Sequence, residues 1–365
     1  MPEIRIDAAA WKHTVALLAL ICLCSTLLLG VMGTRAGASL SEKRTFKRIV
    51  LVSYDGARKH WIDLLLENGT LPHLASLEFG GTEISIRIID HDPKTDPGMA
   101  CIESGYGPDI TGIDRNYFDA TEKPSIPNGL TTTERIKERY GDAWKTALVM
   151  PWSQGAMNVT ASQDSTFWNQ REETDYWFSS ENLTWSWDDP AISRNALDFS
   201  SALLRANYTA LKLAEFIRQN KDHSFYARVH FVEPDYAGHA YGESIDGEIS
   251  PRYREALIEC DEALGLILEA LKETGVYQDT VVLATTDHGF SGSGHGPPVY
   301  PFGDPDVTVV HLISSDPEVS NELGWGIQND ISPTILALAG IDPASFKPYY
   351  NETSQAMPVW MANLK

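Results

Sequence analysis

The sequence predicts an α/β fold in which a largely parallel central sheet carries helices on both faces. Short apolar strands alternate along the chain with longer segments of helical periodicity, as expected for parallel strands joined by crossover helices. Acidic residues follow three of these strands, which places them at the edge where open α/β sheets bind ligands. The 365 residues are 43% hydrophobic and 22% charged, a composition that suits one large domain.

The individual elements follow from the spacing of apolar residues. Short apolar runs predict strands, and they cover residues 49–53, 83–89, 147–150, 225–232 and 280–285. Apolar residues three and four positions apart predict helices, and they cover residues 57–66, 201–218, 251–272 and 332–339.

The N-terminal segment 1–38 is interpreted as a signal peptide or a membrane anchor. Residues 14–33 are uncharged and mostly apolar, a run long enough to span a bilayer as a helix. Ala36-Gly37-Ala38 follows as a small-x-small pattern that a signal peptidase recognises. We therefore expect an exported chain, secreted or membrane-anchored, with its body outside the cytoplasm. Sequons that an exporting host would glycosylate begin at Asn68, Asn158, Asn182, Asn207 and Asn351.

Residues 44–345 are predicted to form the main domain of the chain. Within it, residues 151–190 hold five of the ten tryptophans and are interpreted as an insertion packed over one end of the sheet. The formal net charge is −21 and no basic stripe is present, which argues against a nucleic-acid scaffold as partner. The N-terminal segment is expected to be an additional contact to membranes.

The cysteines do not define a disulfide framework. Cys22 and Cys24 lie in the apolar N-terminal segment, so only Cys101 and Cys260 belong to the body. Both occur in stretches that favour helix, where a free thiol acts as a small buried hydrophobe. A bond between the two is left open.

Three stretches far apart in the chain supply three aspartates and three histidines at or just beyond the ends of apolar runs. Carboxylate oxygen and imidazole nitrogen together are the ligand set expected for zinc or a similar divalent ion. Six such ligands are enough for two ions with open positions, an arrangement that cleaves phosphate esters. The candidate ligands are Asp55, Asp235, His239, Asp287, His288 and His295.

These motifs resemble the alkaline phosphatase superfamily, and most closely its nucleotide pyrophosphatase/phosphodiesterase branch, over about residues 47–343. The resemblance rests on the order of the motifs along the chain. They are Asp55-Gly56, Lys94-Thr95-Asp96-Pro97, Glu233-Pro234-Asp235, Gly238-His239, Asp287-His288-Gly289, His295-Gly296 and the closing segment 330–336.

The resemblance implies two divalent metal ions, zinc in the first instance, and a threonine nucleophile. It implies that Asp235, His239 and His295 hold one ion. It implies that Asp55, Asp287 and His288 hold the other, with Thr95 bridging towards the metals. A threonine hydroxyl is a weak nucleophile that needs a base or a metal, and a helix expected near Pro97 would favour a phosphate beside Thr95.

The chain departs from the branch at two positions after the nucleophile. Members of the branch usually carry an aromatic residue directly after the nucleophile and an asparagine two residues further on, where this chain has Asp96 and Gly98. Lys94 or the tryptophan-rich segment are candidates for the missing contacts to phosphate and base. We therefore expect residues 44–345 to form a metal-dependent hydrolase domain that acts on a small phosphoester, and phosphodiester hydrolysis is the favoured activity. Phosphomonoester or phosphonate hydrolysis, and a catalytically silent binding ectodomain, are the alternatives.

Overall fold

The central sheet of the computed structural model has eight strands in the described part of the chain. The structure describes residues 45–116, 124, 126–150, 176–179, 199–292, 294–295, 303–320 and 324–342. The strands, together with a separate hairpin of β6 and β7, are β1 (Arg48–Tyr54), β2 (Thr82–Arg87), β3 (Trp144–Met150), β4 (Tyr176–Ser179), β5 (Ser224–Phe231), β6 (Ser244–Ile245), β7 (Glu248–Ile249), β8 (Thr280–Thr286), β9 (Val309–Ser314) and β10 (Trp325–Ile327).

The strand order of the sheet is β10-β2-β9-β8-β1-β5-β3-β4. Strand β9 runs antiparallel to both of its neighbours, β2 and β8, and every other neighbouring pair is parallel. The central strands β1, β5 and β8 are buried along almost their whole length, as expected for a sheet covered on both faces. The predicted fold class, a largely parallel α/β sheet, is confirmed.

Helices cover both faces of the sheet, and the alternation of side chains along β1 shows which helices belong to each. Val50 and Val52 pack into one apolar cluster, and Ile49 and Leu51 pack into another. The helices are α1 (Lys59–Glu67), α2 (Pro72–Gly80), α3 (Thr95–Ser104), α4 (Pro108–Thr111), α5 (Thr132–Tyr140), α6 (Phe199–Gln219), α7 (Glu233–Tyr241), α8 (Pro251–Glu273), α9 (Pro305–Thr308) and α10 (Ile331–Leu338). The first cluster includes residues of α1, α2, α6 and α8, and the second includes residues of α3, α5 and α10.

All five predicted strands and all four predicted helices are present, with boundaries shifted by up to three residues. Strands β4, β9 and β10 were not predicted. In β9 the buried His311 interrupts the run of apolar residues, and β10 has only three residues, so neither sequence shows a clear apolar run. Strand β4 lies inside the tryptophan-rich segment and pairs with β3, so this part of the segment extends the sheet rather than covering its end.

Several expectations concern residues outside those that the structure describes. They include the N-terminal segment 1–38, most of the insertion 151–190, and the sequons at Asn158, Asn182 and Asn351. Within the described ranges, no helix combines the length and the apolar character needed to cross a bilayer.

Cys101 on α3 and Cys260 on α8 are both buried and both free, so the bond between them that the sequence left open does not form. Burial raises the pKa of both thiols, which keeps them protonated. They act as buried apolar side chains, as expected from their helical positions.

Candidate metal centre

Strand register brings the predicted aspartates together at the carboxyl edge of the sheet. In the parallel pair of β1 and β8, Tyr54 lies opposite Thr286, so Asp55 and Asp287 follow at the same level. Strand β5 lies on the other side of β1, and Asp55 N donates to Phe231 O over 2.8 Å at its end. Helix α7, which carries Asp235, begins two residues after that point. The convergence of the three strand ends that the sequence predicts is confirmed.

The Asp55 carboxylate lies at the centre of the site and is completely buried. Its Oδ1 is 3.2 Å from His288 Nε2 and 3.4 Å from Thr95 Oγ1. Its other oxygen, Oδ2, has a different partner and lies 3.3 Å from His230 Nε2. One carboxylate therefore contacts the predicted nucleophile, a predicted ligand and a histidine that was not predicted.

The two carboxylate oxygens of Asp287 differ in their hydrogen bonds. Its Oδ1 accepts hydrogen bonds from Gly56 N at 3.1 Å and from His288 N at 2.8 Å. Its Oδ2 is buried without a hydrogen-bond partner. Because a buried carboxylate oxygen without a partner is unfavourable, this atom is a ready ligand for a cation.

Asp235, His239 and His295 form the second part of the site. Asp235 Oδ1 has no hydrogen-bond partner, but it lies 3.5 Å from His239 Nε2 and 3.4 Å from His295 Nε2. The two Nε2 atoms are 2.9 Å apart. Asp235 and His239 lie on one face of α7 because they are four residues apart on the helix. The sequence analysis did not predict this helix. Asp235 Oδ1 and the Nε2 atoms of His239 and His295 thus lie within 3.5 Å of one another.

Gly56 allows the two parts of the site to approach each other. Its φ is +59°, and a Cβ atom at this position would lie 2.8 Å from Asp235 Oδ1. A side chain here would therefore be strained and would also push Asp235 out of the site. The Asp-Gly motif after the first strand has this physical reason.

His288 connects the two parts. Its Nε2 contacts Asp55 as described, and its Nδ1 lies 3.1 Å from His295 Nδ1. Two groups of candidate ligand atoms in this site lie within 4.8 Å of one another. One comprises Asp55, His230 and Asp287, and the other comprises Asp235, His288 and His295. The six predicted ligands are thus brought together, but the pairing by proximity differs from the one that the resemblance implies.

Helix α3 begins at Thr95, two residues earlier than expected from the sequence. The Thr95 side chain is buried, and its Oγ1 is 3.4 Å from Asp55 Oδ1 and 3.4 Å from His288 Nε2. A Cβ atom on Gly98 would lie 2.5 Å from Asp287 O, so the first turn of α3 packs directly against the end of β8. An asparagine cannot occupy this position without moving the helix.

Asn116 is a second polar residue that the sequence analysis did not select. Its Oδ1 accepts a hydrogen bond of 2.9 Å from Asp96 N in the first turn of α3. Because Asp96 directly follows Thr95, this hydrogen bond places the Asn116 amide at the start of α3. Lys94, the candidate for the missing positive group, forms an ion pair with Asp92 at 3.1 Å.

The electrostatics of the site favour a bound cation. Burial, with the charge of Asp55 added, raises the pKa of Asp287 to about 7 and raises the pKa of Asp235 well above its ordinary value. Burial lowers the pKa of His288, but the carboxylates of Asp287 and Asp55 outweigh it and raise that pKa to about 10. Without a cation, the cluster compensates its carboxylates with protons. A divalent ion would replace them, and the donor set therefore fits a metal.

The fold and this site can be compared with known proteins. A family model described as type I phosphodiesterase / nucleotide pyrophosphatase matches residues 49–296. The chain belongs to this family. The matched range includes all six predicted ligands, Thr95, His230 and Asn116. Members of the family are metal-dependent, and the ligand clusters of this chain are in accord with that.

Relatives of known name lie within the same family. Ectonucleotide pyrophosphatase/phosphodiesterase family member 3 of Mus musculus is 25% identical over 242 residues, which are 66% of this chain and 24% of that protein. Bis(5'-adenosyl)-triphosphatase ENPP4 of Bos taurus is 25% identical over 276 residues, which are 75% of this chain and 53% of that protein. The chain spans about a quarter of the length of the first relative and about half of the second.

Solved structures show the same fold at low sequence identity. A protein in the alkaline phosphatase superfamily from Vibrio parahaemolyticus has a TM-score of 0.50 at 16% identity, with 82% of this chain and 67% of that chain covered. A 2-O GAG sulfatase has a TM-score of 0.54 at 14% identity, with 82% and 71% covered. These likenesses support the architecture of the alkaline phosphatase superfamily.

Proposed function

We propose that this chain is a hydrolase of phosphate esters that uses Thr95 as nucleophile and two divalent metal ions, zinc in the first instance. The observation that carries the proposal is the convergence of the six ligand side chains and the Thr95 hydroxyl in one cluster at the carboxyl edge of the sheet. The family supports it, because its named members include phosphodiesterases and nucleotide pyrophosphatases.

The residues present fit two ions that share this cluster. Asp55, Asp287 and His288 would hold one, and Asp235, His239 and His295 would hold the other, as the resemblance implies. When bound, the ions would stabilise the negative charge that develops on the phosphoryl oxygens and would favour the Thr95 alkoxide.

The reaction then follows from the placement of Thr95. Its Oγ1, as the alkoxide whose proton has passed to solvent, forms a bond to phosphorus while the bond from phosphorus to the leaving oxygen breaks. Before ionisation the hydroxyl is oriented by Asp55 Oδ1, which lies 3.4 Å away as a hydrogen-bond acceptor. Water then attacks the phosphoryl-threonine and releases Thr95. Two displacements give net retention of configuration at phosphorus.

The NH₂ group of Asn116 is proposed to donate to a non-bridging phosphoryl oxygen. Its oxygen is already held by Asp96 N, so the donor end of the amide remains at the first turn of α3. The N-terminus of that helix adds backbone N–H groups and a favourable dipole for the phosphate. Asn116 would thus replace the asparagine that the family pattern places at Gly98.

A phosphodiester is the favoured substrate class, and the names of the relatives support a nucleotide-containing one. Asp96 lies directly after Thr95, and its carboxylate adds negative charge beside the phosphoryl group. That charge opposes a monoester dianion more strongly than a diester monoanion. We also propose that the body acts outside the cytoplasm, secreted or held at a membrane by residues 1–38, since one relative is named an ectonucleotide enzyme.

The proposal is tested with the purified body, reconstituted with zinc and freed of excess metal. Elemental analysis is expected to give two ions per chain, and bis(p-nitrophenyl) phosphate is expected to be hydrolysed faster than p-nitrophenyl phosphate. A protein that binds two ions but prefers the monoester would support the phosphomonoesterase alternative. A protein that binds two ions but turns over neither ester would support the silent ectodomain.

A further inference from the structure

Strand β5 presents three buried polar side chains at alternate positions. They are Tyr226, Arg228 and His230, all buried, and the two-residue spacing places them on one face of the sheet. Arg228 Nη1 pairs with Glu103 Oε2 of α3 at 2.6 Å. The Tyr226 hydroxyl lies 3.4 Å from the same oxygen. This face of β5 therefore lies against the helix that begins with Thr95.

His230, the last of the three, does not pair with α3. It lies at the carboxyl end of β5, and both of its ring nitrogens have partners. Nε2 is 3.3 Å from Asp55 Oδ2, and Nδ1 is 2.9 Å from Ser53 Oγ. Its side chain is completely buried, so no water competes for these contacts.

The two oxygens of Asp55 have separate partners. Oδ1 contacts Thr95 Oγ1 and His288 Nε2, whereas Oδ2 contacts His230. Because the Thr95 hydroxyl lies beside Oδ1, that oxygen is the one that would hold an ion close to the nucleophile. His230 contacts the other oxygen, Oδ2, where a hydrogen bond donated by its ring would prevent rotation of the Asp55 carboxylate.

We propose that His230 is a positioning residue that donates Nε2–H to Asp55 Oδ2 and so keeps Oδ1 directed at the metal and Thr95. As a carboxylate, Asp55 can only accept, which requires the proton on His230 Nε2. The Ser53 hydroxyl lies 2.9 Å from Nδ1 and 3.3 Å from Val229 O, and it supports this tautomer when it donates to Nδ1. The inference rests on the proposed function, since it assigns a role towards a metal that Asp55 would hold. Hydrogen bonds of this kind orient ligating carboxylates, and their loss weakens metal binding by about tenfold to a hundredfold.

The test compares His230→Leu and His230→Gln in the otherwise unchanged chain. Zinc affinities are measured by competition with a chromogenic chelator, and the absorption spectrum of the Co²⁺ form is recorded. His230→Leu is expected to weaken one of the two ions by about tenfold to a hundredfold and leave the other unchanged. His230→Gln, whose amide can restore a donor near Nε2, is expected to recover most of this loss with an unaltered Co²⁺ spectrum.

His311→Gln is the matched control. His311 is a buried histidine on β9 that hydrogen-bonds Glu83 over 2.8 Å. Its ring also contacts Lys59 and Asp63, and neither Thr95 nor a proposed ligand is among these neighbours. Its substitution is expected to leave both zinc affinities unchanged. A weakening as large as that in His230→Leu would attribute the effect to general destabilisation and overturn the inference.

The outcomes separate this inference from the proposed function. A wild-type chain that binds no zinc at this cluster overturns the proposed function itself. Two ions in the wild type with unchanged affinities in His230→Leu overturn only the positioning role. Loss of one ion in both His230 variants, with a changed Co²⁺ spectrum, makes His230 a metal ligand instead. If His230→Leu does not fold, Ser53→Ala carries the test, because loss of the hydroxyl that supports this tautomer should weaken the same ion by a smaller factor.

Discussion

At the scale of single residues, Asp55 determines how the site works. One of its oxygens contacts Thr95 and His288, and the other contacts His230. Burial opposes its ionisation, but the hydrogen bonds and charges of the two histidines outweigh burial and hold the pKa of Asp55 below its usual value. Asp55 therefore stays an anion, as a metal ligand and a partner of the nucleophile must.

The role of Thr95 is tested by Thr95→Ala. We expect turnover of the aryl diester to fall by several orders of magnitude, because no other hydroxyl replaces the nucleophile. Both zinc ions should remain bound, since six other ligands are intact. Thr95→Ser is the control and should retain substantial activity. Wild-type turnover in Thr95→Ala would remove Thr95 from the mechanism.

Substrate class is tested at Asp96. In Asp96→Asn the carboxylate beside the phosphoryl group is lost, so kcat/KM for the monoester should rise relative to the diester. The expected change is about 1 kcal/mol, or roughly fivefold to tenfold, because metal charge and water screen the carboxylate. Steady-state kinetics with the matched p-nitrophenyl esters measure it. An unchanged ratio would exclude Asp96 as the source of the preference.

At the scale of elements, a buried ion pair between Glu103 and Arg228 connects α3 to strand β5. Glu103 and Arg228 are 2.6 Å apart and almost inaccessible, and Thr133 at the start of α5 also donates to Glu103 Oε1 at 3.2 Å. Burial raises the pKa of Glu103 even though Arg228 opposes the change. The pair thus holds the helix that presents Thr95, rather than forming part of the reaction.

Arg228→Met should therefore destabilise the fold strongly. Removing one partner of a buried pair lowers the free energy of unfolding by about 3 to 5 kcal/mol, because the remaining charge is buried alone. The double variant Arg228→Met/Glu103→Leu should recover most of this loss. Urea unfolding of the metal-loaded chain measures both. Equal destabilisation by the single and double variants would show that packing, not the unpaired charge, is responsible.

At the scale of the whole molecule, the proposed ligands come from segments that are far apart in the sequence. They come from the ends of β1 and β8, from α7 and from the loop that carries His295. Bound ions would therefore connect elements from both halves of the chain. Ions that bind only the folded state stabilise it by mass action.

Removal of zinc by a chelator should lower the melting temperature, and excess zinc should restore it. The free energy involved is about 4 kcal/mol when free zinc is a thousand times its Kd. Because burial raises the pKa of Asp287 to about 7, zinc must displace a proton below that pH. Zinc affinity should therefore rise as the pH increases from 6 to 8, with proton release visible by calorimetry in buffers of different ionisation enthalpy. Affinity that is independent of pH in this range would contradict the assignment of these carboxylates as ligands.

The sequence by itself determined the fold class, and it predicted six candidate ligands that the structure brings together. The buried runs of β1, β5 and β8 are unbroken enough to be recognised, and parallel strands place whatever follows them at one edge. Motifs at strand ends were therefore informative even though each one alone is common. The positions of the ligands needed only the order of the strands along the chain.

Only the tertiary structure revealed His230 and Asn116. His230 lies within a strand and becomes significant only because β5 pairs with β1, which brings it to Asp55. Its polar character inside a buried run was the one signal in the sequence. Asn116 lies 21 residues after Thr95 and reaches α3 through a loop, so no spacing rule connects the two. Contacts across the sheet and through loops depend on packing in three dimensions, which local patterns do not encode.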